Sequence, residues 1–502
     1  MTSFGLDVGT SSVKGLAVGP DGQVLARAEV AHSSATPRPG WSEQSPEDWW
    51  SGTERVLAAL TAECGTPAGI GLSGQMHGLV VLDSADRVIR PALLWNDQRT
   101  AAECAEIEAR LGGPEGVAAA TGNAALTGFT APKLLWLARH DPESYSRVAR
   151  VMLPKDYVRL RLCGEYATDV TDASGTLWFD VRERHWSETM LTALEVDPAW
   201  LPPALESAAV SGVTRGGASA AGGSTARGEA SARGGFSLPS GIPVAAGAGD
   251  QGAGALGVGV DRPGPASVVL GTSGVVLHAL DAYGASPAHG IQSSAHAVEG
   301  GWFAMGVILS AAGSLRWLHD VLGAPPYEEL LAEAERWAPG CDGLSFLPHL
   351  TGERTPHADP EARGAFVGLE VRHDRGALVR AVLEGVAFAL REALDLVASL
   401  GGPVSIGRIS GGGARSELWL RILASVLGVP LERTAADEGA AYGAALLGGV
   451  AGGTWTTPQE AVAACVHPAG TIDPDPAWVA AYAELRPRAQ ALYPALHDLP
   501  RA

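Results

Sequence analysis

The chain has 502 residues, enough for two to four domains, and a net charge of −19 that leaves no basic stripe able to neutralise phosphates. That balance excludes a nucleic-acid partner and requires any bound nucleotide to be held by backbone amides and a metal ion rather than a lysine cluster. Hydrophobic residues make up 46 %, yet the longest apolar stretch, Gly241 to Val260, is broken by Asp250 and Gln251, five cysteines are scattered without a C-x-x-C pair, and no basic segment precedes an apolar run at the N-terminus, so a soluble, reduced, cytoplasmic protein with no membrane partner is expected.

The chain opens with three strand-like runs, Phe4 to Val8, Val13 to Val18 and Val24 to Val30. Gly9-Thr10-Ser11 and Pro20-Asp21-Gly22 supply the turns of this meander. Ser45-Pro46-Glu47-Asp48 then reads as a helix start, with Ser45 as N-cap, Pro46 at the first position and an acid at the third. Strand and helix patterns alternate from there, which makes the fold class α/β. Residues 215–235 carry no bulky apolar side chain and read as a low-complexity surface loop. After it the opening pattern returns: Ala266 to Leu270, the turn Gly271-Thr272-Ser273, then Val275 to Leu280. This repeat predicts a duplicated domain, with an N-terminal copy over 1–245 and a C-terminal copy over 246–502. Two amphipathic stripes, Val379 to Leu394 and Trp419 to Leu427, read as core helices of the second copy.

Several of these turns carry chemistry. The two Gly-Thr-Ser turns offer small side chains, hydroxyls and free amides, the makings of phosphate-binding concavities. If the halves face one another, the turns meet across a cleft and hold one polyphosphate. Asp7, two residues before the first turn, has Val269 as its counterpart in the second, so one carboxylate stands ready for Mg²⁺. Lys14 is a further phosphate candidate. No P-loop motif occurs, and a pair of ordinary β-turns is the alternative for either copy taken alone. Gly411-Gly412-Gly413, with Ser416 beyond it, follows a strand and precedes a helix; it suits the nucleoside end of ATP, or is a plain tight turn. In Gly249-Asp250-Gln251 an acid stands among small residues, the placement a general base for a hydroxyl nucleophile needs; a helix N-cap is the other reading. Gln75 and His77 in one run and Trp95, with Asn96 to Arg99, in another lie near strand ends, where polar groups and an indole suit a polyhydroxylated ligand.

With these residues in place the sequence resembles the FGGY carbohydrate kinases, and within them the xylulokinase branch. Gly128-Phe129-Thr130-Ala131-Pro132-Lys133-Leu134-Leu135-Trp136-Leu137 fits the first family signature and Gly364 to Leu369 begins the second. The runs Trp41 to Gln44, Gln75 to Gly78, Trp95 to Asp97, Pro154 to Tyr157 and Gly352 to His357 carry the likeness to the branch. The resemblance implies two actin-like, ribonuclease-H-like ATPase domains with an interdomain cleft, the sugar on the N-terminal side and the nucleotide on the C-terminal side. It implies ATP and Mg²⁺, with Asp250 as catalytic base, Asp7 serving metal and phosphates, and Met76 and His77 on the sugar, read as D-xylulose. Gln251 stands where this branch often has Asn; it lies within reach of the sugar and leaves ribulose, a polyol, gluconate or glycerol as the alternative substrate, and a non-catalytic sugar-responsive regulator as the alternative role. Ala377 replaces a usual polar residue at a helix start, where it is expected to cost a cap. The expected assembly is a homodimer.

Overall fold

The computed structural model describes residues 1–216, 238–436 and 438–497. The expected loop at 215–235 lies outside the described residues from 217 onward. The described chain divides into two compact units. The first comprises Met1–Asp261, Ser294–Trp302 and Glu438–Val466; the second comprises Arg262–Ser293, Phe303–Asp437 and His467–Ala502. The first unit runs past the expected boundary at 245/246 to Asp261, and it also takes up residues 294–302 and 438–466.

In the first unit the opening meander forms as expected: β1 (Ser3–Val8), β2 (Ser12–Val18) and β3 (Val24–Ala31) pair antiparallel in turn. Helix α1 (Pro46–Cys64) begins at Ser45 and Pro46, but the Ser45 hydroxyl makes no cap; its carbonyl instead accepts from Asp48 N–H. Strand β4 (Gly69–Gly74) then pairs parallel with β1, and its other edge takes β5 (Pro243–Ala245) and β6 (Ala248–Gly249), both parallel. Beneath the sheet Phe4, Leu6, Ile70 and Leu72 are fully buried with Trp49 and Val56 of α1. The helix Ala440–Ala451 covers this sheet at backbone contact distance: a Cβ on Gly71 would lie 1.7 Å from the Ala444 carbonyl oxygen. Only glycine permits so close an approach, and this contact is what draws 438–466 back to the first unit.

The second unit repeats the plan. After α2 (Asp250–Gly257), which belongs to the first unit, β7 (Pro265–Leu270) and β8 (Gly274–Leu280) form the second hairpin. Its sheet also holds Trp302–Ile308, Ile406–Ser410 and Leu431–Thr434, with Ile406–Ser410 parallel to β7 as β4 is to β1. The predicted stripes are buried on Arg375–Gly401 and Glu417–Leu427. The cap expected to be lost at Ala377 is present, because the Asp374 carboxylate accepts from Ala377 N–H at 3.0 Å. Among the described residues no helix is long and apolar enough to cross a membrane.

Candidate active site

The geometry of the first unit starts from three adjacent strand ends. Asp7 lies opposite Ser73 of β4, and Ala248 of β6 lies opposite the same Ser73 on the other side. Asp7 near the end of β1 and Asp250 just beyond β6 therefore flank the C-terminal end of β4. This is where ligands bind in open α/β sheets. Burial raises the Asp7 carboxyl above its ordinary value, opposed by Ser73 and Lys14, and its Oδ1 is buried with no hydrogen-bond partner. Asp250 is pushed up to about 7, first by burial and then by the Asp7 charge; Gln251 pulls the other way, its Nε2 donating to Asp250 Oδ1 at 3.3 Å. Gln251, expected on the sugar, is thus turned toward the acid it follows. Asp250 is the first residue of α2, one past the Gly249 N-cap, and no side chain caps that helix end, so the N-cap alternative does not hold; its carboxylate is pushed up to about 7.

Met76 and His77 come to the same place. A Cβ on Gly249 would meet Met76 Cγ and Sδ at 2.7 Å, so the thioether packs directly on the peptide preceding Asp250. His77 has a left-handed backbone (φ 69°), uncommon for a residue with a side chain and typical of strained functional turns. Its Nδ1 pairs with the Gly175 carbonyl at 2.6 Å and its ring meets Phe129 edge-on at 4.8 Å. The His77 carbonyl accepts from Thr130 Oγ1 and Lys133 Nζ, each at 3.1 Å. These two residues sit in the first family signature, whose motif was legible but whose purpose was not. Burial lowers the Lys133 ammonium to about 7.

Gln75 and Trp95 serve the Gly9-Thr10 turn in this structure. Thr10 Oγ1 donates to Gln75 Oε1 at 3.1 Å and accepts from Trp95 Nε1 at 3.0 Å; Gln75 Nε2 donates to Gln44 Oε1 at 2.9 Å, and Gln44 Nε2 donates to the Thr10 carbonyl at 2.5 Å. Gln44 ends the run Trp41 to Gln44, but nothing in its spacing ties it to a turn 34 residues away. Lys14 is paired with Glu438 at 2.6 Å. Asp97 is fully buried and binds Arg99 and the Ser42 amide, so it braces the loop rather than facing a ligand.

In the second unit the Gly271-Thr272-Ser273 turn and the Gly411-Gly412-Gly413 turn lie side by side. A Cβ on Gly413 would fall 2.5 Å from the Leu270 side chain, and one on Gly411 would fall 2.8 Å from the Leu270 carbonyl. The Gly271 and Thr272 carbonyls accept from the backbone N–H groups of Ala312, Ala311 and Gly313, which fixes the turn on the start of the next helix. Ser416 caps the helix Glu417–Leu427, its hydroxyl accepting from Trp419 N–H at 3.2 Å. The first hairpin turn spans the four residues between Val8 and Val13, the second the three between Leu270 and Gly274, so the repeat is one of topology and not of turn length.

Residues 2–257 match the N-terminal domain, and residues 266–452 the C-terminal domain, of the FGGY family of carbohydrate kinases. The chain is 40% identical over 451 residues to the xylulose kinase of Escherichia coli (strain K12), covering 89% of this chain and 90% of that one. It is 36% identical over 489 residues to the xylulose kinase of Lactococcus lactis subsp. lactis (strain IL1403), covering 96% and 94%. Among solved structures, xylulose kinase from Rhodospirillum rubrum superposes with a TM-score of 0.89 at 32% identity over 99% of both chains. A "xyloylose kinase" from Brucella ovis does so with a TM-score of 0.91 at 41% identity over 100% of both. The two hairpin-led sheets, the paired carboxylates at the ends of β1 and β6, and these matches together show that the chain belongs to the FGGY family of carbohydrate kinases, phosphotransferases with two domains of the actin-like ATPase fold.

Proposed function

We propose that this kinase transfers the γ-phosphoryl group of ATP to the 5-hydroxyl of D-xylulose, with Asp250 as the general base. The observation that carries the reading is the state of Asp250: a carboxylate poised at about 7 beside Asp7, against the Met76 floor and near His77. A base with that pKa takes a proton from a hydroxyl most effectively near neutral pH. Asp7 would hold Mg²⁺, since its buried Oδ1 lacks a partner and ionises more readily beside a cation. Among the described residues no group of three or more His, Cys, Asp or Glu side chains is arranged so that it could hold a metal ion, which suits an ion carried largely by phosphate oxygens and water. Mg²⁺ supplies charge neutralisation on the phosphates when bound.

The chain's own residues do the rest. His77 and Met76 would orient the sugar, with the His77 ring fixed by Gly175 and Phe129. Within the first unit we assign phosphate contact to the backbone of Gly9-Thr10-Ser11; within the second we assign phosphate contact to Gly271-Thr272-Ser273 and the nucleoside to the Gly411-Gly413 turn beside it. Lys14 is held by Glu438 and would act at a distance. The choice of D-xylulose rests on the named relatives at 36–40% identity over nearly the full chain. Coupled ADP release across D-xylulose, L- and D-ribulose, glycerol, xylitol and gluconate tests it. The highest kcat/KM belongs to D-xylulose; preference for another sugar refutes the substrate, and ADP release that no sugar raises above background refutes the reaction.

A further inference from the structure

Behind the Asp250 turn five charged side chains, Lys155, Asp156, Arg159, Asp169 and Asp172, are completely buried. Lys155 Nζ lies 2.6 Å from Asp156 Oδ1, 2.7 Å from Asp169 Oδ1 and 3.2 Å from Asp172 Oδ2. Arg159 Nη1 lies 2.5 Å from Asp156 Oδ1 and donates to the Ala167 carbonyl at 2.6 Å. Three carboxylates face two cations. Burial drives the Asp172 carboxyl well above the usual range, with Lys155 opposing it and the neighbouring Asp156 and Asp169 adding to it. Burial opposes the charge on Asp156 too, but Lys155 and Arg159 hold its pKa below the ordinary value. Ion clusters of this kind are expensive to desolvate, and apolar packing of equal volume is often at least as stable, so stability alone does not account for this one.

Its contacts outward run toward the catalytic turn. Arg159 Nη2 donates to the Ala246 carbonyl. Asp169 Oδ2 accepts from Thr171 Oγ1 at 2.6 Å and from Thr171 N–H at 2.7 Å. Thr171 Oγ1 in turn accepts from Gly249 N–H at 2.7 Å. A hydroxyl has one proton to give; here the carboxylate takes it, which strengthens the lone pair that meets the Gly249 amide. We propose that the buried ion cluster acts through Thr171 to fix the Gly249 peptide, and with it the carboxylate of Asp250, making Thr171 a positioning residue for phosphoryl transfer. Lys155 and Asp156, within the run Pro154 to Tyr157 that carries the family likeness, thereby gain a role: Lys155 holds Asp169, the carboxylate that meets Thr171.

The inference rests on Asp250 being the base, and the experiment separates the two. Steady-state kinetics on D-xylulose and ATP are measured for the wild type, Thr171→Val, Thr171→Ser and Asp250→Asn, each checked by thermal melting. Thr171→Val keeps the shape and removes the hydroxyl; its kcat falls on the order of 10- to 100-fold while both KM values stay within about twofold, the signature of a displaced reacting group. Thr171→Ser keeps the hydroxyl and stays within about threefold of the wild type. Equal rates for Thr171→Val and wild type overturn the relay, as does a serine variant that loses as much as valine, which would assign the effect to the methyl group packed near Gly252. Should the valine variant not fold, the serine result alone decides, since a loss above tenfold contradicts the proposal. Activity surviving in Asp250→Asn refutes the base assignment instead, whatever Thr171 does.

Discussion

Asp7 and Asp250 repel one another from either side of β4, and the pH behaviour of the enzyme follows from that pair. With Asp250 at about 7, kcat/KM rises with pH through roughly neutral on its acid limb. The Gln251 amide favours the ionised form, so Gln251→Ala moves that limb to higher pH, which a pH–rate profile from pH 5 to 9 resolves; an unmoved limb means the amide faces something else. Stability carries the opposite sign. The folded pKa of Asp250 lies above its unfolded value, so its contribution is fully present below the unfolded pKa and is lost as pH rises through about 7. Asn cannot ionise. The melting temperature of Asp250→Asn therefore gains on the wild type between pH 5 and pH 8, and a constant difference across that range contradicts the buried, raised carboxyl.

The turn between β1 and β2 owes its shape to elements distant in sequence. Gln75 at the end of β4 and Gln44 before α1 clamp Gly9-Thr10, and Trp95 closes the clamp from a third segment. Gln75→Leu takes from the Thr10 hydroxyl its acceptor and from Gln44 Oε1 one of its two donors, at a cost of roughly 1–3 kcal/mol. Gln75→Leu should raise the KM for ATP several-fold and change the sugar KM less, as read by two-substrate kinetics. A selective rise in the sugar KM would restore Gln75 to the sugar contact expected from sequence. The glutamine was readable as polar and near a strand end; that its amide is spent on a turn 65 residues earlier was not, because side-chain partners across a sheet leave no local spacing.

Across the whole chain, the duplicated hairpin, the α/β alternation and both core stripes were legible because they rest on local periodicity and turn chemistry. Asp7, Asp250 and the glycine turns could be singled out as candidates because a lone acid among small residues is costly to bury without a purpose. The return of 438–466 was not, since glycines such as Gly71 and Gly443 mark close packing without naming the surface they meet. A fragment ending at residue 261 lacks the helix Ala440–Ala451 that covers its sheet. It should fail to show a cooperative melt by circular dichroism, whereas the same fragment joined to 438–466 should melt cooperatively; a cooperative melt of the short fragment alone contradicts the assignment. The central claim is that Asp250 removes the proton from the sugar hydroxyl. It is tested most directly by the single-turnover rate of phosphoryl transfer to D-xylulose in Asp250→Asn at saturating ATP, alongside ATP affinity by calorimetry. A fall of roughly 10²–10⁴-fold with ATP affinity preserved is the result predicted, and a near-normal transfer rate in that variant would contradict it.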